Sequence, residues 1–168
     1  VFVFRSEQEA VALAEKAAQE VERLALTLGE SIGQIGRDVQ VGILLYEAPE
    51  GGAAQRRLID LLRSRAAENG LDELTAISAD GVVLARGHRP AEFGDAAETA
   101  PVGSTHLTSG AAVMRLRLPV RLRSRHAGDL EGGIDLSDDL AELGRLFSGR
   151  VFLSTGDEKF SPESVRTP

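Results

Sequence analysis

From its first turn the chain spaces apolar side chains at alternating steps of three and four, with Ala14, Ala17, Val21, Leu24, Leu28, Ile32, Ile35 and Val39 in one series. That spacing is one stripe of a 3.6-residue helix. Ser6, three residues before Glu9, has the spacing of a capping box, so the pattern predicts one long helix over about 6–40. Gly29, Gly33 and Gly36 weaken its second half, each costing up to about 1 kcal/mol against alanine. Either the helix bends there or its backbone approaches something closely. A seam of this kind packs on a sheet or on a partner helix.

The period then changes. "YEAPEGG" is a loop punctuated by Pro49 and Gly51-Gly52, and "AAQRRLIDLLRSRAAENG" is a second helix with Leu58, Leu61 and Leu62 inward and Gly70 as its stop. Residues 73–79 and 82–88 flank Asp80-Gly81, the pair that most strongly signals a hairpin turn. A polar loop over 94–110 follows. "AAVMRLRLPVRLR" alternates apolar and basic residues, and "LEGGIDL" is its antiparallel neighbour across the turn "SRHAGD". Ser137 caps a short helix whose first turn holds Asp138 and Asp139, and Gly149 ends it. "RVFLST" is the last strand and 156–168 a tail. Helices first and hairpins after favour an α+β domain, one antiparallel sheet with its helices gathered on one side, over a doubly wound parallel sheet. The expectation is a single domain over 1–168, its sheet-containing core at about 41–155.

Period-two geometry decides which side chains share a face. Val82, Leu84, Arg86 and His88 point one way; Arg115 and Arg117 share a face of the next long strand, opposite Met114, Leu116 and Leu118, the better face for the long helix. Alternation leaves two uses open for those arginines. One is a solvated sheet face, continued by Arg121 and Arg123 and paired with Glu131 and Asp135. The other is convergence with His88 on a carboxylate, which forked guanidinium donors suit. Arg86 either joins that group or pairs with an acid such as Asp95 or Asp135.

Composition narrows the classes. A net charge of −7 argues against a broad nucleic-acid or anionic-membrane surface, so any positive site is local. With no cysteine, disulfides, thiolate metal sites, thiol nucleophiles and flavin–cysteinyl photochemistry are excluded. His88, His106 and His126 lack the paired spacing of a zinc site, and neither a GxSxG elbow nor a nucleotide-binding glycine loop is present. No enzyme motif emerges. Val1 in place of Met suggests a piece of a longer chain, and "VFVF" reads equally as the end of an apolar segment or as a short strand.

Two stretches resemble a known family. "LDELTAISADGVVLARGHRPAEFGDAA" is similar to the hairpin and loop of extracytoplasmic Cache sensor domains, and "VMRLRLPV…GDLEGGIDLSDDLAEL" to their later hairpin and following helix. The resemblance spans roughly residues 5–155. It implies a PAS-like fold with a long N-terminal helix, lodged between transmembrane helices of a methyl-accepting chemoreceptor or sensor kinase, on the periplasmic or extracytoplasmic side. It implies no catalysis and no cofactor. In similar citrate and dicarboxylate sensors, basic residues at the His-Pro turn and on the arginine strand hold ligand carboxylates; the matching positions here are His88, Arg115 and Arg117, with Arg86 as a neighbour. The expected ligand is therefore a small carboxylate such as acetate, propionate, malate or citrate, with Tyr46 and His106 as secondary contacts. One tyrosine and no tryptophan depart from the aromatic pocket of the amino-acid-binding branch. The seam of the long helix suggests a parallel homodimer. Two readings of other classes stand beside this one: a ligand-free PAS-like interaction or dimerisation module, and a cytosolic PAS-like sensor holding haem through His88.

Overall fold

Half of the N-terminal seam is spent on a sheet. In the computed structural model, which describes residues 7–98, 102–103, 105–107, 112–146, 153–155 and 158–160, helix α1 runs Glu7–Gly36, about 45 Å at 1.5 Å per residue. Leu28, Ile32 and Ile35 are fully buried beneath it, Val21 and Leu24 half-buried, and Ala14 is exposed. Ser6, Gly149 and the first four residues lie outside the described residues.

The single helix expected to residue 40 stops early. Asp38 interrupts it and caps a second helix, α2 (Val39–Glu47), its Oδ1 accepting from the Gln40 amide at 2.9 Å. Its Oδ2 accepts from Arg65 Nη2 at 2.7 Å. A side chain that satisfies an orphan amide at a new N-terminus makes the break cheaper than continuing through glycine. Val39, expected as the end of the seam, therefore opens α2 instead and is 65% exposed. A short 3-10 turn (Ala48–Glu50) leads to α3 (Gly52–Glu68). Leu58 and Leu62 of α3 are buried as expected, Leu61 partly, and the chain turns at Gly70 with φ 64°.

The sheet is antiparallel and five-stranded: β1 (Glu73–Ser78), β2 (Val83–Arg86), β3 (Thr105–Leu107), β4 (Val113–Leu122) and β5 (Arg125–Asp135), in the order β2-β1-β5-β4-β3. This is the α+β, PAS-like architecture expected. The pairing of β1 with β5 sets the two predicted hairpins side by side. β3 lies within the stretch expected to be loop, too short to show a period of its own. The β4–β5 turn is tighter than expected: Arg123 and Ser124 take it at positive φ, and 125–129 are strand. Helix α4 (Ser137–Leu146) begins at Ser137 itself, whose amide donates to Asp135 Oδ1 at 2.8 Å, so Asp135 takes the capping part assigned to Ser137. The last strand, β6 (Leu153–Thr155), pairs with β7 (Glu158–Phe160) in a separate ribbon, so part of the expected tail is strand.

Helices α1, α2 and α3 all pack on one face, α1 over β4 and β5 and α3 over β1 and β2. Two adjacent glycines serve opposite faces. A Cβ at Gly132 would lie 2.8 Å from Ile32, so its absence lets α1 sit close on the sheet. Gly133, facing the other way, keeps the uncovered side clear.

Candidate functional site

The register of the sheet builds two rows of polar side chains on the face away from the helices. In one row Arg86 stands opposite Thr75, Thr75 opposite Glu131, and Glu131 opposite Arg117. In the other, Glu73 stands opposite Gly133, Gly133 opposite Arg115, and Arg115 opposite His106.

Each row is tied internally. Arg117 donates through Nε and Nη2 to Glu131 Oε2 at 3.0 and 2.7 Å. Arg115 reaches across the bare Gly133 to Glu73, its Nε 2.7 Å from Oε2. A Cβ at Gly133 would stand 3.2 Å from that carboxylate oxygen and 3.3 Å from Arg115 Cγ, so the bridge passes over β5 because no side chain blocks it.

The segment after β2 folds back as a roof. The Val83 amide donates to the Asp95 carbonyl at 2.9 Å, Gly94 to Val83 at 2.8 Å, and Ala97 to Gly81 at 2.8 Å. The fold-back brings Asp95 against Arg86 in a two-toothed contact, Nη1 to Oδ1 at 2.9 Å and Nη2 to Oδ2 at 2.6 Å. It brings Glu98 over the arginine strand: its carbonyl accepts from Arg117 Nη2 at 2.9 Å and its Oε2 lies 3.5 Å from Arg115 Nη1.

Between roof and sheet is a polar cavity of about 140 Å³, into which Arg86, His88, Arg115 and Arg117 converge along with Thr75 and Glu131. It has about the volume of five liquid waters at roughly 30 Å³ each, room for a ligand of a few heavy atoms. Burial pushes the His88 imidazole below its ordinary value; Glu73, its Oε1 4.0 Å from Nε2, pulls the other way, while Arg89, Arg115 and Arg86 add to the depression. His88 is therefore neutral near pH 7, and its buried Nδ1 has no hydrogen-bond partner among the described residues. The hydrogen bonds from Arg86 hold the Asp95 carboxyl below the usual range.

The structure thus gathers Arg86, His88, Arg115 and Arg117 in one place. Tyr46 is not with them: it sits on α2, on the helix side of the sheet, and is 64% exposed. His106 neighbours Arg115 through β3 but does not line the cavity. Asp135, expected as an arginine partner, stands opposite Val113 and is engaged instead with Ser137 and Asp72. Of the solvated face expected for the arginine strand, the pairing of Arg117 with Glu131 is present but the solvation is not, since Arg117 is 7% exposed. Sequence reading missed Glu73, Thr75 and Glu98. Glu73 and Thr75 alternate with Leu74 and Ala76, which was signal enough to face them away from the helices; nothing local announced that Glu98 would fold over the sheet.

No family model matches the chain, and no curated protein does. Solved structures similar to it include the ligand-binding domain of the Campylobacter jejuni chemoreceptor Tlp3 in complex with 4-methylisoleucine, at 11% identity and a TM-score of 0.48, over 79% of this chain and 57% of that one. The sensory domain of the same chemoreceptor with isoleucine bound is similar at 13% identity and a TM-score of 0.44, over 83% of this chain and 67% of that one. The chain thus spans between about half and two thirds of the length of the Tlp3 chains it resembles.

Proposed function

We propose that this chain is the ligand-binding sensor domain of a transmembrane signalling receptor, a chemoreceptor or sensor kinase, on the extracytoplasmic side, and that its polar cavity takes a small organic anion. It is a binding module without catalytic chemistry, and it works as a homodimer through α1, anchored by flanking segments. The observation that carries the reading is the convergence of Arg86, His88, Arg115 and Arg117 on one small roofed cavity, since forked donors shielded from water are what carboxylate recognition needs. Ligand signals by differential affinity for two states, typically a coupling of about 1–3 kcal/mol. The roof, tied to β2 by its backbone and to Arg86, Arg115 and Arg117 through Asp95 and Glu98, is the element an anion entering among those arginines would shift.

The cavity's own charges refine the ligand. Arg86, Arg89, Arg115 and Arg117 face Glu92, Asp95, Glu98 and Glu131, with Glu73 bound to Arg115 and His88 neutral. With Glu73 counted the acids outnumber the arginines, which disfavours a multiply charged anion such as citrate and leaves a single carboxylate as the most the site takes. The interleaved acids also support a second reading, a small zwitterion whose ammonium group lies against Glu73 or Glu98. A thermal-shift panel of acetate, propionate, malate, citrate, glycine and alanine separates these. A ligand at a hundredfold excess over its Kd adds about 2.7 kcal/mol, and Arg115→Gln should remove that gain while the unliganded protein stays folded. If none of the six stabilises the wild type at millimolar concentration, or if Arg115→Gln keeps the gain, the cavity is not the receptor site.

A further inference from the structure

A second cavity opens on the helix side of the sheet, distant in character from the polar one. It is an apolar groove of about 610 Å³ where the last turn of α1 leaves β4, with Ile32, Val120 and Leu130 as a buried floor and Leu118 on one wall. Gly33 and Gly36 contribute no side chain to it; a Cβ at Gly36 would come into ordinary contact with Val120 and Leu130 at 3.6 and 3.9 Å. Its rim carries Arg37 and Arg121. Among the described residues neither guanidinium has an ion-pair or hydrogen-bond partner for its side chain, whereas Arg65, Arg86, Arg115 and Arg117 are all engaged. Small-molecule sites are concave and mostly apolar, roughly 300–1,000 Å³, with a few placed polar groups. This groove meets that description by size and lining, where the polar cavity is smaller and lined mainly by charged groups.

We infer that the groove between α1 and β4 binds an anionic amphiphile, its apolar tail along Leu118, Pro119 and the bare Gly33 and Gly36, above the closed floor of Ile32, Val120 and Leu130, and its acidic head between Arg37 and Arg121. The charge at the rim selects the sign of the head group, since two full positive charges outweigh the roughly half negative charge at the carboxyl end of α1. The glycines decide the access: a side chain at position 33 or 36 fills the space the tail needs. The inference is independent of the sensor reading, because no residue is shared between the two cavities.

The test is calorimetric titration of the full chain with octanoate at pH 7, against octylammonium and acetate. Octanoate is expected to bind, octylammonium at least tenfold more weakly, and acetate not at this site. Arg37→Glu with Arg121→Glu should weaken octanoate at least tenfold, equivalent to 1.4 kcal/mol or more. Gly33→Leu should abolish binding with the melting temperature kept or raised, since leucine favours the helix over glycine. Arg115→Gln should leave octanoate binding unchanged, which separates this site from the polar cavity. Equal binding of octanoate and octylammonium, unchanged binding in Gly33→Leu, or no binding below about 10 mM, some three kcal/mol at most, overturns the inference. So does Gly33→Leu altering self-association with octanoate inert, which would make the groove a protein interface.

Discussion

Glu131→Ala probes whether the Arg117 guanidinium is sealed into the fold. Arg117 and Glu131 are 7% and 9% exposed, and two hydrogen bonds of 3.0 and 2.7 Å join them. Taking one partner from a buried pair leaves a charge without compensation and costs about 3–5 kcal/mol. Arg117 keeps its bond to the Glu98 carbonyl, which places the expected loss near the lower bound, about 3 kcal/mol. At about 2–4 °C per kcal/mol for a chain of this size, the melting temperature should fall by about 6–12 °C. Replacing both partners, Arg117→Met with Glu131→Leu, removes the stranded charge and should come within about 1 kcal/mol of wild type or above it. Urea denaturation of the wild type, both single variants and the double variant yields the coupling directly. The substitution also leaves a carboxylate-sized gap beside a guanidinium, so acetate should restore stability to Glu131→Ala as its concentration rises. A loss below about 1 kcal/mol for Glu131→Ala, the value of an exposed pair, would refute the burial argument and with it the claim that the cavity is shielded.

Two further outcomes follow from the geometry. Gly128, at φ 145°, has no room for a side chain, since a Cβ there would stand 2.3 Å from the Ile77 carbonyl oxygen; Gly128→Ala should cost more than about 1 kcal/mol through backbone strain alone, and a melting temperature equal to wild type would count against the β1–β5 register. His88 has a folded-state pKa below its unfolded one because of burial, so the unfolded chain binds the proton more readily. Its contribution to stability is complete above about pH 6.5 and declines as pH falls from there through the folded value. An NMR titration placing His88 at or above 6.5 would sink this, and His88→Gln should remove that share of the acid sensitivity.

How much of this was legible beforehand depended on the range of the interaction involved. The alternation of β4 set Arg115 and Arg117 against Met114, Leu116 and Leu118, and Asp80-Gly81 announced the β1–β2 hairpin. Both are local facts, fixed by the two-residue repeat of a strand and by the backbone preference of a turn, and the shared face of Arg86 and His88 followed from the same repeat. The Asp38 cap was also local, an acid directly before an apolar run, yet the stronger i, i+3, i+4 pattern on either side concealed it. The partners of the arginines were a different matter. Arg115 meets Glu73 only because β5 lies between β4 and β1 and presents Gly133 at the crossing; Glu98 joins only because the segment after β2 folds back along its edge. Those contacts join residues far apart in the chain through strand order and loop path, which no repeat in the sequence encodes. Local periodicity alone therefore determined which side chains would face away from the helices. Strand order and the path of the roof decided which of those side chains meet, and so whether the charges there would be solvated or enclosed.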